Sequence, residues 1–234
     1  MVVKQMVKDF EKNDVSAKEQ VQKNHYVESF HNDGKIKVLF IGNSITRHEI
    51  KSEIGWDGDW GMAASSRDKD YVHITVKLLE ETFEKVDYCI ANCGEWELNY
   101  FNDEIISNWQ KAREFCADLV IVRIGENIWQ AKEHFNNSPI ALHFDKMVKY
   151  FCKNENAKVV LTNLFWNIDV IDDAIERVAK ENGYEFVSIG DLGNASENKA
   201  LGKFWHEGVS VHPNDLGMKR IAERIVEKIK RLKL

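Results

Sequence analysis

Five apolar runs punctuate the chain, each short enough for one strand. They are IKVLFIG at 36–42, VDYCIAN at 86–92, DLVIVRIG at 118–125, AKVVLTNLF at 157–165 and YEFVSIG at 184–190. Between and after them, apolar residues recur at helical spacing over 71–85, 105–116, 138–153, 169–182 and 215–233. Runs that are apolar on both faces suit strands covered on both sides, as in a parallel sheet. Strand alternating with helix gives right-handed crossover units. The pattern predicts one open, doubly wound α/β domain over residues 34–234. Residues 1–33 are polar, lysine-rich and weakly periodic. They read as an N-terminal helical extension.

In an open α/β sheet, ligands bind beyond the carboxyl ends of the strands. The segments there are GNSITRHE (42–49), CGEWELN (93–99), GENIWQ (125–130), WNID (166–169) and the stretch around FWHEGVSVHPND (204–215). Ser44 follows the first strand and a glycine. It reads either as a helix cap or as a nucleophile, and a nucleophilic serine needs a base and oxyanion donors. His212 lies before the last amphipathic helix, at the same end of the sheet. Gly94 ends a second strand, and a glycine lets its backbone N–H approach a ligand closely. Asn127 ends a third and carries a neutral NH2 donor. Alone, it reads equally well as a turn residue.

Taken together, GNSIT, the glycine after the second strand, GEN and HPND resemble the four sequence blocks of the SGNH hydrolases, the GDSL-type esterases and lipases. The resemblance runs over roughly residues 36–230. It implies a three-layer α/β/α sandwich around a central, mainly parallel five-stranded sheet of flavodoxin-like type. It also implies a serine esterase in which Ser44 attacks an ester carbonyl and His212 relays the proton. The Ser44 and Gly94 N–H groups and the Asn127 side chain would then hold the oxyanion. The family's aspartate, three residues before the histidine, is replaced by Val209. Glu207 is the first candidate for the orienting acid. Asp215, Glu126 or a backbone carbonyl are the others, the last leaving a Ser–His dyad. The departure also admits a member that binds carbohydrate without cleaving it.

Trp60, Trp96, Trp129 and Trp166 fall in segments beyond strands and are candidate pocket walls for a sugar or acyl group. Arg47, just past the serine, reads either as an anion contact or as a structural pair. These features favour a small-molecule or carbohydrate ester, with O-acetyl groups first and thioester or lysophospholipid substrates as alternatives. No cofactor and no metal is expected, because DGD at 57–59 lacks the remaining ligand spacing of a calcium loop.

Bulk composition narrows the classes further. Apolar residues make up 44% and charged residues 30% of 234 positions, with a net charge of −6. An acidic surface disfavours nucleic acid as a partner. No apolar run is long enough for a membrane span or a secretory signal, so the expected location is cytoplasmic. The four cysteines fit no zinc spacing and read as small reduced core residues. The sequence carries no indication of oligomeric state.

Overall fold

The computed structural model describes residues 16–232. Six strands form one sheet. They are β1 (Val27–Phe30), β2 (Ile36–Gly42), β3 (Val86–Asn92), β4 (Leu119–Arg123), β5 (Lys158–Thr162) and β6 (Glu185–Val187). Their order is β1-β3-β2-β4-β5-β6. All neighbours are parallel except β1, which runs antiparallel along β3 with Val27 opposite Ala91. The helices are α1 (Ala17–Gln20), α2 (Tyr71–Phe83), α3 (Gly94–Leu98), α4 (Gln110–Glu114), α5 (Ile140–Phe151), α6 (Asp169–Asn182), α7 (Gly190–Asn194), α8 (Glu207–Ser210) and α9 (Asp215–Ile229), with short 3-10 turns between.

The mainly parallel α/β sandwich follows from the strand pattern. Leu39 and Ile41 of β2, with Val120 and Val122 of β4, face the core built with α5 and α6. Val38 and Phe40, with Leu119 and Ile121, face the core built with α2 and α9. Alternation by two sends neighbouring residues to opposite layers, so both faces of the central strands must be apolar. Two of the covering helices, α2 and α9, are capped at their entries. Asp70 accepts from His73 N–H before α2, and Asn214 accepts from Leu216 and Gly217 N–H before α9.

The sheet has one more strand than the sequence pattern predicts, and it comes from the segment read as a helical extension. Residues 1–15 lie outside the described residues. Of the remainder, only Ala17–Gln20 is helical, and Val27–Phe30 adds to the sheet edge. β1 was hidden because its exposure runs half-buried, exposed, exposed, half-buried, without period-2 alternation. Tyr26, just before the strand, and Phe30 within it pack on the sheet's second core, and Phe30 stacks on Tyr88 at 4.5 Å.

Without the edge strand, the order β3-β2-β4-β5-β6 is that of a doubly wound sheet whose connections diverge between β2 and β4. That divergence opens the crevice where ligands bind in such sheets. Gly42, the last residue of β2, makes the turn into it possible. A Cβ there would meet Thr46 Oγ1 at 1.7 Å and the Arg123 carbonyl at 2.8 Å. We expect Gly42→Ala to cost about 1–3 kcal/mol, the usual penalty of overpacking. Denaturant midpoints of the two proteins measure this, and an unchanged midpoint contradicts the tight packing of this turn.

Candidate functional site

Ser44 lies in a turn rather than at a helix entry. Thr46 and Arg47 N–H both donate to the Asn43 carbonyl, and no helix follows. The helix-cap reading of Ser44 therefore has no helix to cap. The turn lifts the hydroxyl over the carboxyl edge of the sheet. His212 meets it there: Ser44 Oγ and His212 Nε2 are 2.8 Å apart.

The tautomer of His212 follows from its other nitrogen. Nδ1 lies 2.6 Å from the Gly208 carbonyl oxygen, and a carbonyl only accepts. Nδ1 therefore carries the hydrogen and Nε2 presents its lone pair to the Ser44 hydroxyl. The imidazole is buried, with Trp166 edge-on at 4.9 Å. Burial pushes its pKa down to about 3, against the Gly208 hydrogen bond, which favours the charged form. It is a neutral base at neutral pH.

Glu207 does not orient this ring. Its residue is exposed at the start of α8, while the short helix turns the Gly208 carbonyl inward. Asp215 is also committed elsewhere, accepting from Ser65 N–H and Oγ at 2.8 Å each. Glu126 is held by Arg123. With Val209 buried in a small apolar cluster, a backbone carbonyl is the only group bonded to Nδ1 among the described residues.

Beneath the serine lies a buried polar network that joins the ends of β2 and β4. Arg123 NH1 donates to Glu126 Oε1 at 2.5 Å, and NH2 donates to Glu126 Oε2 at 3.1 Å and to Asn43 Oδ1. Asn43 Nδ2 donates to Glu126 Oε2 at 2.7 Å and to Glu97 Oε1 at 2.9 Å. Glu97 Oε1 also accepts from Gly125 N–H at 2.8 Å and Asn127 N–H at 3.1 Å, and its Oε2 accepts from Asn127 Nδ2 at 2.6 Å. The adjacent guanidinium overcomes burial and holds Glu126 below the usual carboxylate range. Glu97 has no such cation. Burial, then the Glu126 charge, push it up to about 7 against its hydrogen-bond donors.

The three proposed oxyanion donors are not equivalent. Ser44 N–H has no hydrogen-bond partner among the described residues. Asn127 gives one Nδ2 hydrogen to Glu97, and a primary amide has a second. Gly94 lines the same cavity, but its N–H donates to Asn92 Oδ1 at 2.8 Å. An oxyanion at Gly94 would have to displace that bond.

The cavity over Ser44 has a volume of about 370 Å³. Asn127, Trp166 and His212 line it, together with Val21 and Gln22 from the N-terminal segment. That segment is tied down: Arg47 NH1 and Glu49 N–H donate to Gln22 Oε1 at 2.8 and 2.9 Å. Of the four candidate tryptophans, only Trp166 reaches this cavity. Trp96 is core, edge-on to Phe144. Trp60 bonds the Ala64 carbonyl and packs on Trp56. Trp129 is 43% exposed, beside Phe135 and outside the cavity. Arg47 is also structural, with its guanidinium 3.7 Å above the Tyr26 ring.

Sequence reasoning passed over Asn43, Glu97 and Arg123 and did not single out the Gly208 carbonyl. Arg123 had a signal, a charge inside the otherwise apolar run DLVIVRIG. Such a charge requires an internal partner. Nothing comparable marks Glu97 among the exposed acids of the chain.

No protein-family model and no curated protein sequence matches the chain. Solved structures do. A putative GDSL-like lipase from Parabacteroides merdae is 18% identical, with 83% of this chain and 95% of that one covered at a TM-score of 0.57. An acetyl xylan esterase is 20% identical, with 82% and 98% covered at 0.52. A lipase/acylhydrolase from Enterococcus faecalis is 14% identical, with 85% and 97% covered at 0.53. At these identities the likeness is one of fold, and the chain has the fold of the SGNH hydrolases, the GDSL-type esterases and lipases.

Proposed function

We propose that this protein is a serine ester hydrolase acting on short acyl esters, with O-acetyl groups on carbohydrates as its preferred class. The observation that carries the reading is the 2.8 Å contact between Ser44 Oγ and a neutral His212 Nε2 at the floor of a cavity. Ser44 Oγ attacks the ester carbonyl while His212 takes its proton, then protonates the leaving alcohol. The Ser44 N–H and the free Asn127 amide hydrogen stabilise the tetrahedral oxyanion. Water, deprotonated by His212, releases the acid.

A cavity of about 370 Å³ is at the small end of ligand sites, which favours a short acyl group over a long chain. The acetyl xylan esterase among the fold neighbours points the same way. The cavity wall also offers the Gln130 side-chain amide to a hydroxyl.

Hydrolysis of p-nitrophenyl acetate, butyrate and octanoate by wild type and Ser44→Ala tests the reading. The expected result is turnover confined to the short chains and reduced at least 1000-fold by the substitution, on the scale of losing a nucleophile. Turnover that survives Ser44→Ala refutes it. Carbohydrate binding without any turnover would favour the non-catalytic reading instead.

Two further outcomes follow from the carbonyl that holds His212. Glu207→Ala should leave kcat and KM within about twofold, since nothing in the site depends on that carboxylate. A loss near 10⁴, as when a triad loses its acid, would return Glu207 to the mechanism. The working base is the neutral imidazole, so turnover disappears only as pH falls towards its lowered pKa of about 3. Ser44-dependent turnover should therefore remain measurable at pH 5 rather than be abolished. Complete loss through a single limb near pH 6.5 contradicts the buried, neutral His212.

A further inference from the structure

The catalytic reading assigns no role to Glu97, yet this carboxylate is fully buried and bonded to the site from below. We infer that Glu97 is a positioning residue that aims the Asn127 amide at the oxyanion, and that it does so only as a carboxylate. The inference rests on the esterase reading and adds a residue to it.

The geometry separates its two oxygens. Oε1 accepts three hydrogen bonds, from Asn43 Nδ2, Gly125 N–H and Asn127 N–H. Oε2 accepts one, from Asn127 Nδ2 at 2.6 Å. Every one of these partners is a donor. A proton on Glu97 must therefore face a donor, and Oε2 is the oxygen that loses least by taking it. Protonation at Oε2 breaks the bond to the Asn127 side chain and leaves the backbone bonds of Oε1 in place. The Asn127 amide then loses its anchor, and a donor misplaced by about 1 Å can cost on the order of 100-fold.

Several groups face this carboxylate. Glu126 follows β4 and carries a like charge, Arg123 at the end of β4 carries the opposite one, and Cys93 after β3 is a buried thiol. Arg123 is bonded to Glu126 and Asn43 rather than to Glu97. That cation is thus bonded to the neighbour and acts on Glu97 only through space, so the direct partners of the Glu97 charge are neutral hydrogen-bond donors. Its pKa of about 7 fits that position.

The sign of the effect is fixed. Ionised Glu97 anchors Asn127, so turnover should be half-maximal near pH 7 and full about a unit above it. It should fall to a lower plateau as pH drops through that value, well before His212 is protonated. The step should be absent from Asn127→Ala, which has no amide to anchor.

The test is a double-mutant cycle on Ser44-dependent hydrolysis of p-nitrophenyl acetate, with pH profiles. Glu97→Gln keeps the shape. Its amide oxygen takes the three donors and its NH2 faces Asn127 Nδ2. We expect kcat to fall on the order of 100-fold with KM within a few-fold. Asn127→Ala should fall 100–1000-fold, as when an oxyanion donor is lost. The double variant should fall no further than Asn127→Ala alone, because Glu97 acts through that amide. Losses that multiply, or a step near pH 7 that persists in Asn127→Ala, overturn the assignment and leave the esterase reading intact. If Glu97→Gln does not fold, the profiles of wild type and Asn127→Ala decide the matter by themselves. Wild type with no Ser44-dependent turnover overturns both readings.

Discussion

The site depends on a single buried cation. Arg123 ends β4, fully enclosed, between Asn43 after β2 and Glu126 after its own strand. A guanidinium there cannot give up its proton and is enclosed by protein, and the surrounding chain supplies acceptors at both of its terminal nitrogens. Breaking one partner of such a pair typically costs about 3–5 kcal/mol, because the other charge is left stranded. The arrangement therefore fixes the two strand ends relative to each other, and those strand ends carry Ser44 and Asn127. Asn43 suits its place because it presents an oxygen to Arg123 and two hydrogens to two carboxylates. An aspartate there would meet Arg123 equally well but would add a third negative charge and lose both donors.

Electroneutrality explains the division of labour among the acids. One guanidinium serves two enclosed carboxylates. Glu126 takes it and is held ionised, while Glu97 is left with neutral donors and a raised pKa. Such pairs, whose environments push two carboxylates apart, recur where a site needs one fixed charge and one that titrates. Here neither touches the reacting atoms. In the proposed reaction both act through amides, Asn43 beside Ser44 and Asn127 at the oxyanion.

The parts of this structure that were legible in the sequence are those set by local pattern. Near-continuous apolar runs over β2, β3, β4 and β5 mark strands buried on both faces, and the residues after them mark the ligand edge. Ser44, Asn127 and His212 could be named because each follows a strand or precedes a capped helix. What sequence could not show depends on distant contacts. β1 is short and lacks alternation, and only its pairing with β3 makes it a strand. Trp60, Trp96 and Trp129 follow strands just as Trp166 does, yet turns send two inward to packing and one outward to solvent. The Gly208 carbonyl is not a side chain at all, so no residue type announces it.

In the proposed esterase, that carbonyl changes what the histidine contributes. A carboxylate opposite Nδ1 fixes the tautomer and also stabilises the imidazolium that forms in the transition state. A carbonyl fixes the tautomer equally well, since it can only accept, but it offers a dipole in place of a charge. The imidazolium of His212 must form in a buried setting that already disfavours it. More of the transition-state stabilisation then falls on the oxyanion side. One of the three expected donors there, Gly94 N–H, is engaged with Asn92, which leaves the Ser44 N–H and the Asn127 amide. In a site with a weakened base and two ready donors, the group that holds one of those donors in place carries unusual weight. The carboxylate that binds Asn127 from below, rather than the missing acid beside His212, is then the acidic residue on which this arrangement most depends.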